Sequence, residues 1–127
     1  MRTNPDLDPA AIERLRGLGG EKFVREMIGL FLDYVGQKVK EARQAMLAGD
    51  LPGVEKAVHP VKSSAGNLGA RRVQTLATRI ELEARNQNVA AVSAGVAELE
   101  SAFSTVRERL EQMQLPAPKP EQPNVGQ

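Results

Sequence analysis

Apolar residues recur at steps of three and four along most of this chain, the period of helices buried on one side. The plainest run is Val89, Val92, Val96, Leu99, Phe103, Val106, Leu110 and Met113. It alternates the two steps without a break and predicts a long helix after Asn88. Val73, Leu76, Ala77, Ile80 and Ala84 predict another, over about 70–86. Leu51, Val54, Val58, Val61, Ala65 and Leu68 mark a third seam, on the helix before that one. Upstream, Phe23, Met27, Leu30, Tyr34, Val35, Val39, Ala42 and Met46 read as the core stripe of a helix from about Glu21 to Ala48. Ile12, Leu15 and Leu18 give a short first helix one apolar side. No segment alternates with period two for long enough to be a strand.

Punctuation residues fall where these helices should start and stop. Asp8-Pro9 is a helix start, with aspartate as N-cap and proline in the first turn. Leu7 can pack on Ile12 as a hydrophobic staple. Gly17, Gly19 and Gly20 stop the short helix. Gly49 closes the next one and Asp50 caps its successor, with Pro52 tolerated in the first turn. Gly69 ends the third seam, and Asn88 is placed as an N-cap after the Asn86-Gln87-Asn88 turn. The exception is Pro60, inside the third seam. It removes one helical hydrogen bond and crowds the preceding turn, at a cost of about 3 kcal/mol in an ordinary helix interior. The helix could end at Val58, but the seam continues in phase through Val61, Ala65 and Leu68, so a kinked, continuous helix is expected.

The expected fold is all-α: an antiparallel up-down four-helix bundle with a short extra N-terminal helix. Residues 1–6 are expected to be a loose N-terminus, 7–114 the helical domain, and 115–127 an extended tail, with prolines at 116, 118, 120 and 123.

Composition narrows the function. Seventeen basic and sixteen acidic residues leave a net charge of +1, which argues against a nucleic-acid or membrane-surface binder. There is no cysteine, hence no thiol chemistry. No unbroken run of 18 apolar residues and no apolar leader occur, so neither a membrane span nor a signal peptide is expected, and the location should be cytoplasmic. No G-x-x-x-x-G-K-[ST] phosphate cradle is present, so ATP binding by that route is excluded. A single histidine can build neither a hydrolase triad with the serines nor a zinc site without other strong ligands in register, so no metal site is expected.

That histidine is His59. On a helix it lies on the flank of the third seam, with Lys62 one turn on and the small residues Ser63, Ser64, Ala65 and Gly66 following. An imidazole that is neutral near physiological pH is a nucleophile. A lysine at this spacing can offset the charge of a transferred phosphoryl group. The small residues leave room for a partner to approach.

The segment His59-Pro60-Val61-Lys62-Ser63-Ser64-Ala65-Gly66-Asn67-Leu68-Gly69-Ala70 resembles the signature of histidine-containing phosphotransfer (HPt) domains, His-x-x-Lys-Gly-Ser/Ala-Ser/Ala followed by Leu-Gly-Ala. Ser63 stands where the family usually has glycine, and Pro60 follows the histidine directly. The resemblance covers roughly residues 7 to 113, taking in Phe31-Leu32, Gly49-Asp50 and the Glu81 to Arg85 segment in family order. It implies a phosphorelay intermediate rather than an enzyme. His59 would accept a phosphoryl group from a receiver-domain aspartyl phosphate and pass it to an aspartate of another receiver. Lys62 would stabilise the phosphate, and Ser63, Ser64 and Gly66 would form the docking face. The partners implied are receiver domains of a hybrid histidine kinase or of response regulators. No cofactor of the chain's own is implied, Mg²⁺ being expected on the receiver, and a monomer is expected. The alternative class is a helical adaptor that binds signalling partners without covalent chemistry.

Overall fold

The computed structural model describes residues 6–114; the tail expectation, and that for residues 1–5, lie outside them. Four helices follow in order: α1 Pro9–Leu47, α2 Leu51–Leu68, α3 Arg71–Arg85 and α4 Val89–Gln114. Joins of two or three residues make chain neighbours antiparallel. Each helix packs on the next, and α1 closes the ring on α4.

The short first helix and the long second one emerge as the two arms of α1. Gly20 divides them, with φ 81° and ψ −173°. Only glycine adopts that region without strain, so the chain turns there although helix flanks it on both sides. The first arm starts as expected: Asp8 Oδ1 accepts from the Ala10 amide at 3.1 Å. Leu7 and Ile12 are both buried. Leu18 is corrected, being 72% exposed, because the core ends one turn before it.

The second arm differs from expectation in register. Its buried residues are Val24, Ile28, Phe31, Leu32, Val35, Val39 and Ala42. Phe23, Met27 and Met46 pack only partly, while Leu30 and Tyr34 are 63% and 45% exposed. Val35, Val39 and Ala42 are buried as expected, but earlier in the arm two apolar stripes run about one position apart, and the one read as core there, Phe23-Met27-Leu30-Tyr34, is the flanking one.

The remaining elements follow the pattern. Asp50 Oδ1 accepts from the Gly53 amide at 2.9 Å, and Asn88 Oδ1 from the Ala91 amide at 3.2 Å. α2 runs through Pro60 without interruption, with Val54, Val58, Val61, Ala65 and Leu68 buried. α4 buries Val92, Val96, Leu99, Phe103, Val106 and Leu110 and exposes only the two ends of its seam, Val89 and Met113. By length and composition α4 could cross a bilayer; its apolar side chains form the bundle core. Close approaches seal the ring, Phe31 and Phe103 having ring centroids 6.1 Å apart between α1 and α4.

Leu68-Gly69-Ala70 is a corner that locks the bundle's end. Gly69 has φ 77° and terminates α2. Its carbonyl accepts from the Asp8 amide at 2.7 Å, and a Cβ on Gly69 would lie 2.7 Å from the Asp8 carbonyl oxygen. Both the conformation and the clearance therefore demand glycine. Arg71 donates to Asp8 Oδ2 at 2.8 Å and completes the clasp.

Candidate functional site

The centre of the site is a pair of facing helices, α2 and α3. His59 stands on the outer flank of α2 with its side chain 66% exposed. Across from it, Glu81 of α3 is the buried charged residue of the described core. Position 81 falls in the phase of Ala77, Ile80 and Ala84, so the helix drives a carboxylate into the α2–α3 seam. A charge there is tolerable only if paired. Both oxygens are: Oε2 meets His59 Nδ1 at 2.5 Å and Oε1 meets Lys62 Nζ at 2.5 Å. Arg85 reaches Oε2 at 3.4 Å, while holding Glu55 of α2 at 2.9 Å.

Burial pushes the Glu81 carboxyl up, but hydrogen bonds from Lys62 and His59 outweigh it and hold the group below its ordinary value. Glu81 is therefore an acceptor, and Nδ1 of His59 donates to it. A neutral imidazole with its proton on Nδ1 carries its lone pair on Nε2. Nε2 has no protein partner among the described residues. The arrangement presents one nucleophilic nitrogen, outward, on a ring held from behind.

One to three turns along α2 from His59, on the side facing α1, the second apolar stripe of α1 and the small-residue face of α2 enclose a cleft of about 300 Å³. Met27, Leu30, Phe31 and Tyr34 line it from α1, and Ser64, Asn67 and Leu68 from α2. Of the three docking residues expected from sequence, Ser63 is exposed on the His59 stripe and Ser64 lines this cleft. Gly66 turns toward α3, where a Cβ would lie 2.7 Å from the Gln74 side-chain nitrogen. Lys62 is also at the site, engaged by Glu81 rather than free. Glu81, Leu30 and Tyr34 were not singled out for the site from sequence. The signal for Glu81 was there: a charge in the phase of a buried seam.

A ring that offers Nε2 on an exposed helix flank of a four-helix bundle is an arrangement able to carry a transferred group. The sequence matches the Hpt domain family over residues 26–115, most of its length, and the chain belongs to that family. Its role is accordingly phosphotransfer within phosphorelays, as a carrier that works with receiver domains. No curated protein matches the chain closely. Among solved structures, histidine-containing phosphotransfer protein B (HptB) from Pseudomonas aeruginosa PAO1 is similar with a TM-score of 0.83 at 21% identity, covering 88% of this chain and 96% of that one. A histidine-containing phosphotransfer protein from rice is similar with a TM-score of 0.77 at 20% identity, covering 86% and 79%. At these identities the two structures speak for the fold.

Proposed function

We propose that His59 is the phosphoacceptor, taking a phosphoryl group on Nε2 from a receiver aspartyl phosphate and passing it to an aspartate of another receiver. The observation that carries this reading is the outward, unpartnered Nε2 on a ring anchored through Nδ1. Transfer forms the N–P bond as the acyl P–O bond of the donor breaks, and the donor carboxylate is released. Lys62 offsets the phosphoryl charge: an ammonium has three donors, and Glu81 uses one. Ser63 and Ser64 give a receiver room to bring its aspartate, with its own Mg²⁺, into line with Nε2. The cleft beside Ser64 supplies apolar area for docking. A cytoplasmic monomer fits this role.

Label transfer from a phosphorylated receiver tests the reading. His59→Gln is expected to abolish labelling with the helical circular dichroism unchanged. Retained labelling would place the acceptor elsewhere, and retained partner binding without any labelling of wild type would favour an adaptor. Lys62→Ala is expected to slow transfer about tenfold or more, since a charge-assisted contact is worth roughly 1 to 3 kcal/mol. Transfer at the wild-type rate would leave Lys62 only its contact with Glu81.

A further inference from the structure

Glu81 is buried at 5% exposure and its contact with His59 is directed at the ring nitrogen that does not react. We propose that Glu81 is a positioning residue that keeps a proton on Nδ1 of His59 before and after phosphorylation, so that the phosphohistidine is held in its protonated, readily transferred form. The inference rests on His59 being the acceptor, and its consequence is a property of the phosphorylated protein.

The argument is one of lone pairs. When Nε2 takes the phosphoryl group, its lone pair becomes the N–P bond and the ring keeps the proton on Nδ1. In water that proton can then leave, giving a neutral phosphoimidazole with a bare lone pair on Nδ1. In this protein such a lone pair would face the Glu81 carboxylate oxygen at the same short distance. Two acceptors cannot share a hydrogen bond without a proton between them. Losing the proton would strip a buried carboxylate of one of its close partners and set it against a like-signed atom, which is costly where solvent cannot screen it. The proton is therefore retained. A protonated imidazole leaves phosphorus as a neutral molecule, whereas an unprotonated one would have to leave as an anion. The N–P bond then breaks, phosphorus passes to the receiver carboxylate, and the ring returns to the neutral tautomer with its proton still on Nδ1. No proton has to enter or leave the site in either direction.

The other charges around the ring do not replace this role. On α2, Lys62 is on Glu81, and Glu55 is on Arg85. On α3, Arg85 lies beyond Glu81 and is a donor, not an acceptor. Lys56 of α2 is exposed and acts on Glu41 of α1, which pairs with Lys38 at 3.2 Å. Among the described residues, Glu81 is the acceptor for Nδ1.

The test uses the full chain labelled with phosphoramidate, which requires no docked receiver. The decay of phosphohistidine is followed against pH in wild type, Glu81→Gln and Glu81→Ala, with imidazole ¹⁵N shifts reporting the state of Nδ1. Glutamine keeps the shape but can donate its amide to a bare Nδ1, the opposite preference. At about pH 8 the phosphorylated variants are expected to decay about tenfold more slowly than wild type and to show a bare Nδ1, while at about pH 5.5 all three converge because solvent then protonates the ring. Superimposable decay profiles, or a bare Nδ1 in phosphorylated wild type, overturn the inference. Absence of any label on His59 in wild type overturns instead the acceptor assignment beneath it.

Discussion

The second arm of α1 and the whole of α4 are both long apolar helices, yet they differ in how their apolar residues are used. α4 has one seam. Its members from Val92 to Leu110 are buried, and only the two end residues emerge. The α1 arm has two seams, offset by one position. Ile28, Phe31 and Val35 enter the core, while Leu30 and Tyr34 stay exposed and line the cleft that begins one to two turns along α2 from His59. A helix that only has to fold needs one stripe. A second stripe left exposed over the helix that carries His59 is, on the proposed function, surface for a partner.

The difference can be broken most forcefully in the cores. Ile28→Ala and Leu99→Ala are each expected to lower stability by about 2 to 5 kcal/mol, since each removes a fully buried side chain. Leu30→Ala is expected to cost less than about 1 kcal/mol. Denaturant midpoints measure all three, and a Leu30 effect as large as that of Ile28 would merge the two seams into one.

Those expectations show what could be read from the residues alone. α4 was legible because one seam admits one register. Caps at Asp8, Asp50 and Asn88 and the stop at Gly69 were legible because each acts within a turn of its own position. The register of the α1 arm was not: Phe23-Met27-Leu30-Tyr34 is as good a 4,3,4 series as the true core, and what chooses between them is which stripe α2 and α4 can cover. The proposed acceptor, His59, with Lys62 and the small residues was visible as a local pattern. Its hydrogen-bond partner lies 22 residues away on another helix, and only packing brings the two together.

Function is expected to follow the exposed stripe. Leu30→Glu should reduce label transfer from a receiver by about tenfold to a hundredfold, as apolar contact is lost and the approach to Nε2 is misaligned. Labelling by phosphoramidate should be unchanged. If both fall together, the substitution has damaged His59 itself rather than docking.

Ser63→Gln sharpens the same point from α2. Its side chain is on the His59 stripe and exposed, so the longer residue is expected to slow receiver transfer by roughly tenfold without loss of helix. A wild-type rate would place the receiver's approach wholly on the Ser64 side. The smallest effect belongs to α4. Val89 is 65% exposed but far along the chain from the cleft residues, and Val89→Ser is expected to change stability by less than about 0.5 kcal/mol. Receiver transfer should not change at all. A measurable loss would mean that exposed apolar residues matter wherever they are, and the comparison between the helices would fail.

Gly20 has a consequence for how the molecule comes apart. Cooperative helix opening travels through consecutive hydrogen-bonded turns, and the extended backbone at Gly20 interrupts that chain of bonds. Residues 9–19 are thus held less by the rest of α1 than by Ala11, Ile12 and Leu15 in the core and by the Asp8 contacts to Gly69 and Arg71. They constitute a small unit able to detach and reseat alone. Amide hydrogen exchange over 9–19 is expected to outpace that of α2 and α4, through openings that leave the bond between His59 and Glu81 closed.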